Sequence, residues 1–296
     1  MQATTGRAYR RSTVVKLGAH SYIWCDHWSD QSLPLLEHAR SLGAETLEIS
    51  VGDDVHFDPR RTGQAAADLG LELTIGPGGV WPMDCDISLP DAADRARGLQ
   101  WHKGAVALAA EMGAVAYCGA LYGHPGHVER RKPTDDEYRW IAENLHELGA
   151  FAAERGITVV LEPMSHFRTH LANRPEQIAR LVDMADHPSI MALLDTYHLV
   201  TEVRDYAEAV REVGSRLWGI HACENDRGVP GGGLVPWEAF AGALREIGFD
   251  GYVCLETYNS GLNGFAASRG LFGDPCPDGD EFVRVGLGFV RRVLGG

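Results

Sequence analysis

Short segments built on Val, Ile and Leu recur along the chain at residues 14–19, 45–49, 71–75, 115–118, 157–161, 190–194, 217–220 and 252–255, the last five nearly free of polar residues. Brief runs of this kind read as strands buried on both faces, the pattern of a parallel sheet. Between them the apolar positions fall at helical spacing: 33–42 stopped by Gly43, 59–69, 91–112 stopped by Gly113, a segment after Thr134, one opened by Pro175, then 206–213, 237–247 and 281–294. Glycine after the last apolar position is a helix C-cap signal, Pro suits a first turn, and Thr134 with Glu137 has capping-box spacing. Ile141, Leu145, Leu148 and Ala152 then share one helical face. Eight strands alternating with eight helical segments predict an α/β fold, a (β/α)8 TIM barrel. One such domain is expected over residues 14–296, behind a polar tail at 1–13 that is expected to fray.

The strand ends carry the candidate chemistry. The runs at 157–161, 190–194, 217–220 and 252–255 each stop at a residue able to bind a metal: Glu162, Asp195, His221 and Glu256. One such carboxylate is usually solvated or caps a helix. Four in consecutive units, each directly after a buried run, do not fit that account, and this rim is where barrel active sites form. Three carboxylates and an imidazole suit a hard or borderline divalent cation that keeps positions open for substrate oxygens.

Further candidates flank these ends. His198 follows Asp195 by three residues and Arg227 follows His221 by six; they are either a helix cap and a surface ion pair or donors to substrate hydroxyl and carbonyl oxygens. His20, Tyr22 and Trp24 follow the first strand, and Trp81 follows the third. Such aromatics suit the apolar face of a sugar ring, and equally an interface. Glu48 stands near the end of the second run. The Gly- and Pro-containing stretch 257–277 is expected to be a long loop, serving as a lid or a subunit contact.

Charge and composition narrow the partners. A formal net charge of -14 argues against nucleic acid and against an anionic membrane surface, but leaves a neutral sugar unaffected. No apolar run approaches the length of a membrane span. The six cysteines lack CxxC spacing and read as reduced structural thiols, which points to the cytoplasm. The first thirteen residues hold three arginines with no apolar stretch behind them, a poor signal peptide.

The segments VVLEPMSHFRTH, ALLDTYH, GIHACENDRGVPG and CLETY resemble the ligand motifs of the xylose-isomerase-like sugar isomerases and epimerases, nearest the D-tagatose 3-epimerase family. The resemblance covers nearly the whole chain. It implies that Glu162, Asp195, His221 and Glu256 hold Mn²⁺, or else Co²⁺, Mg²⁺ or Zn²⁺. It also implies that Glu162 and Glu256 exchange protons with a keto sugar, and that His198 and Arg227 contact it. One position departs from the pattern: where the ketose 3-epimerases carry a further Glu, this chain has Arg168, with His166 beside it. The block SHFRTH and the late loop ETYNSGLNGFAASRGLFGDPCPDGDEF look similar to catalytic subunits of C-glycoside deglycosidases. That second resemblance implies elimination of the aglycone from a 3-oxo-glucoside, with His166 as a base and Arg168 at the sugar end. A homo-oligomer follows from the first resemblance, a small accessory subunit from the second.

Overall fold

The computed structural model describes residues 15–295; the tail expected at 1–13 lies outside them. Eight parallel strands close on themselves in sequence order: β1 (Lys16–His20), β2 (Thr46–Val51), β3 (Glu72–Pro77), β4 (Ala116–Gly119), β5 (Thr158–Leu161), β6 (Ile190–Asp195), β7 (Leu217–Ala222) and β8 (Tyr252–Leu255). The ring is completed by β8 against β1, where Lys16 stands opposite Tyr252. Around it run α1 (Pro34–Ser41), α2 (Pro59–Asp68), α3 (Ala92–Met112), α4 (Asp135–Ala153) and α5 (Pro175–Ala185). Next come the short α6 (Thr196–Leu199), α7 (Tyr206–Val213), α8 (Trp237–Glu246), the short α9 (Phe265–Ser268) and α10 (Gly279–Gly295). The structure adds to expectation a short α6 after β6 and one turn of helix, α9, in the late loop, and it places Glu48 in the middle of β2 because pairing with β3 extends that strand to Val51.

Strand residues alternate between two environments, as a period of two requires. Leu47, Ile49, Val159, Leu161, Leu194, Ile220, Val253 and Leu255 join the large core between barrel and helices. Ala116, Cys118, Val160 and Leu193 form a small cluster of their own inside the ring. That parity sends Glu162, Asp195, His221 and Glu256 inward, because each stands an even number of residues from an inward position or one step from an outward one.

The helices keep their sequence signals. Asp91 caps α3 rather than joining it, its carboxylate accepting from the Ala93 amide, and Gly113 closes the helix in the left-handed region at φ 69°. At α4 the Glu137 amide donates to Thr134 Oγ1 (3.2 Å) and the Thr134 amide to Glu137 Oε2 (2.6 Å). Arg131 adds a two-pronged pairing with the same carboxylate at 2.8 and 2.7 Å, and the pair pulls Glu137 down to about 2 against the opposing effect of burial.

The inward face of α3 holds one polar group, His102, which is fully buried. Its Nδ1 meets the Tyr117 hydroxyl at 2.9 Å, Nε2 has no hydrogen-bond partner among the described residues, and burial pushes its pKa down to about 3. The folded chain therefore keeps this imidazole neutral, whereas the unfolded chain takes up a proton near the ordinary value of 6.5. The stability this contributes is complete above pH 6.5 and is lost as pH falls towards 3. His102→Gln is expected to lose stability at pH 8 but to show a flatter decline of Tm on acidification. Parallel Tm profiles for wild type and variant between pH 8 and 4 would contradict this assignment.

Candidate metal centre

Four side chains converge at the C-terminal mouth of the barrel. Glu162 and Glu256 are the first residues beyond β5 and β8, Asp195 ends β6, and His221 is the penultimate residue of β7. One potential ligand atom from each lies within 4.8 Å of the others, and all four residues are buried. His221 is the hub: Nδ1 is 3.1 Å from Glu256 Oε2 and 3.3 Å from Glu162 Oε1, while Nε2 is 3.3 Å from Glu48 Oε2. Burial disfavours the imidazolium, but Glu48, Glu256 and Glu162 outweigh it and raise the His221 pKa well above its ordinary value.

Local folding fixes these directions. Asp195 doubles as the cap of α6, its Oδ1 accepting from the Tyr197 amide at 2.8 Å. Thr196 Oγ1 donates to the Cys223 carbonyl (2.7 Å) and accepts from the Cys223 amide (3.0 Å), which ties the ends of β6 and β7 together. Arg227 sits at φ 66°, a left-handed conformation unusual for a side-chain-bearing residue. Its loop is wrapped on the buried Glu224 carboxylate, which accepts from the Gly231 amide (2.6 Å), the Trp237 indole (2.7 Å) and the Val235 amide (3.2 Å). The result aims the Arg227 guanidinium into the mouth, 2.7 Å from Asp195 Oδ2 and 2.8 Å from Glu256 Oε2.

The donor set fits a divalent cation. Burial pushes the Asp195 carboxyl well up, only partly offset by Arg227, and despite the short ion pair no well-aligned hydrogen-bond donor among the described residues reaches its Oδ2. For Glu256 burial acts in the same direction, yet Arg227 and His221 prevail and hold it well below the usual carboxylate range. Three carboxylates and one imidazole, with no thiolate among them, match the oxygen and nitrogen preference of Mn²⁺, Mg²⁺ or Zn²⁺.

Residues 36–275 match the family described as xylose isomerase-like TIM barrel. The chain belongs to that family. Among its curated relatives, a D-psicose 3-epimerase of Agrobacterium fabrum is 28% identical over 292 residues, covering 95% of this chain and 100% of that protein. An L-ribulose 3-epimerase of Mesorhizobium japonicum is 28% identical over 289 residues, covering 94% and 96%. The solved structure of an L-ribulose 3-epimerase superposes with a TM-score of 0.88 at 27% identity, covering 95% of each chain.

Within this xylose isomerase-like barrel the remaining candidates separate. His198 stands at the cluster, its Nδ1 2.8 Å from Ser165 Oγ and its Nε2 3.3 Å from Arg227 Nη2, and burial and Arg227 hold its pKa well below the ordinary value. Arg168 is half-buried, at the end of a turn closed by its amide onto the Ser165 carbonyl (2.8 Å). His166 is not brought into the cluster: its side chain is 65% exposed and Glu202 Oε1 accepts both its ring Nδ1–H (2.7 Å) and its amide (2.9 Å). Trp24 also stands apart, its indole donating to Asp280 at 2.8 Å and its ring lying edge-on to His38. Trp81 stacks on Trp101 with centroids 4.9 Å apart.

The aromatic groups that do flank the cluster are tyrosines. The Arg227 guanidinium lies 4.3 Å from the Tyr197 ring centroid and 5.8 Å from that of Tyr258. Tyr22 packs against Tyr258 and accepts from Arg269 at 2.8 Å. Tyr197 and Tyr258 each follow a cluster carboxylate by two residues, a spacing that would have singled them out. The six cysteines are free, and among the described residues no helix is long and apolar enough to cross a membrane.

Proposed function

We propose that this chain is a divalent-metal-dependent epimerase or isomerase of keto sugars, with inversion at C3 of a ketose as its reaction. The observation that carries this reading is the convergence of Glu162, Asp195, His221 and Glu256 within 4.8 Å at the barrel mouth. The near full-length relatedness to ketose 3-epimerases supports it. A cation held by those four groups would supply the positive charge that makes a proton beside a carbonyl acidic. Glu162 and Glu256 then divide the proton work: one, as carboxylate, takes the proton from carbon, and the other, carrying a proton drawn from solvent, delivers that proton to the opposite face of the planar enediolate, after which both reset by exchange with solvent. Arg227, a permanent donor, and His198 orient the sugar oxygens. The cytoplasmic setting and homo-oligomer belong to the same proposal, and size-exclusion chromatography with light scattering tests the latter. Incubation of the Mn²⁺-loaded protein with D-fructose, D-tagatose and L-ribulose, followed by chromatography, tests the reaction: a C3 epimer is expected, and inert ketoses would contradict it.

A second reading, elimination of the aglycone from a 3-oxo-glucoside, is favoured by one feature. Several loops that follow strands carry exposed apolar side chains, including Val80, Met83, Phe167 and Phe272, the last 90% exposed. Such a rim suits an apolar aglycone. His166→Ala separates the two chemistries. On the elimination reading, loss of a general base lowers the rate of aglycone release by about 100-fold or more. On the epimerase reading a solvent-facing histidine paired with Glu202 is peripheral, and epimerisation survives.

A further inference from the structure

Glu48 lies outside every motif that marks the cluster, yet its carboxylate touches the hub. On β2 the outward residues Leu47, Ile49 and Val51 pack in the large core, so Thr46, Glu48 and Ser50 take the inward parity. A carboxylate buried inside a barrel is costly unless partnered. Its partners are His221 Nε2 at 3.3 Å and the Thr74 hydroxyl, which donates at 3.1 Å, with His20 Nε2 further off at 3.9 Å. The backbone also makes room: a Cβ on Gly76 would come within 3.1 Å of Glu48 Oε1 and 3.3 Å of the Cys118 carbonyl oxygen. Glu48 is therefore built into the barrel against one edge of the His221 ring, while Glu162 and Glu256 face the other nitrogen.

We propose that Glu48 is a positioning residue that accepts the Nε2–H of His221 and so leaves the Nδ1 lone pair for the cation. This rests on the metal-dependent reading above. A neutral imidazole carries a single N–H, and the nitrogen that keeps it is decided by the acceptors around the ring. Nδ1 faces two carboxylates at 3.1 and 3.3 Å, either of which would accept a proton there and deny that nitrogen to a metal. With those two carboxylates engaged by a cation, the ring proton is kept on the far side by an acceptor oxygen held at Nε2. Glu48 supplies it.

The test uses Mn²⁺ as the probe, with its free concentration followed by electron paramagnetic resonance and imidazole ligation by the ¹⁴N modulation of the bound ion's spin echo. Four proteins are compared: wild type, Glu48→Ala, Glu48→Gln and Glu48→Asp. Gln keeps an acceptor oxygen in place without the charge; Asp keeps the charge but withdraws it by one methylene. Positioning predicts that Ala and Asp weaken Mn²⁺ binding by about 10–100-fold and lose or alter the ¹⁴N signal, whereas Gln retains the signal and most of the affinity. Wild-type affinity and signal in Glu48→Asp, or a Gln variant as impaired as Ala, would overturn the proposal in favour of a purely electrostatic role. If Glu48→Ala does not fold, the Gln and Asp pair decides alone. A wild-type protein that binds no Mn²⁺, or a His221→Ala variant that binds it undiminished, would instead overturn the metal site itself.

Discussion

Glu162→Gln and Glu256→Gln are each expected to lower kcat by roughly 10²–10⁴-fold, the range spanned by positioned acid–base groups, while leaving the barrel folded. Gln is close to Glu in volume, and both positions lie just past a strand end, so neither substitution disturbs the sheet or the large core. What is lost is the ability to hold a proton. Each change also removes one negative charge from the surroundings of His221 Nδ1, which both carboxylates approach. In Glu256→Gln the Arg227 guanidinium keeps Asp195 as its remaining carboxylate partner, so that variant still buries a paired cation. The measurement is kcat with saturating sugar alongside a thermal melt. Full activity in either variant, with a normal Tm, would remove that residue from the proton-transfer role.

Removal of divalent ions has the second large effect. Exhaustive chelation is expected to abolish turnover, and added Mn²⁺ to restore it. The same experiment has a thermodynamic readout, because a ligand that binds only the folded chain stabilises it by about 2.7 kcal/mol when its free concentration is 100 times Kd. For a chain of this size that amounts to several degrees in Tm. Asp195→Asn should erase the Mn²⁺-dependent rise, since Asp195 is one of the four converging groups and its Oδ2 is the one without an aligned donor. Identical Tm and turnover in chelator and in Mn²⁺ would count against a metal-dependent reaction.

The parts legible in the sequence share a physical cause. Glu162, Asp195, His221 and Glu256 each follow a predominantly apolar run, and the run fixes both the strand and the parity of the residue that ends it. The boundaries of α7 and β8 follow from equally clear punctuation, and the Thr134–Glu137 box from its spacing. In the sequence Glu48 is only an acid near the end of its run; its role is not legible there because it lies mid-strand, where nothing shows which strand across the barrel it will meet, and its partner is 173 residues away. Loop side chains had no period to follow. Trp24 turned towards Asp280 and His38 on α10 and α1, and His166 towards Glu202, because each found a local polar partner that no spacing announces.

The most direct test is a proton NMR time course in D₂O with Mn²⁺-loaded protein, comparing a free ketose with a 3-oxo-C-glucoside. Deuterium entering C3 of the ketose, at the same time as a new epimer appears, is the predicted result. A ketose that keeps its C3 proton while the glucoside releases its aglycone would contradict the epimerase reading and assign the cluster to elimination.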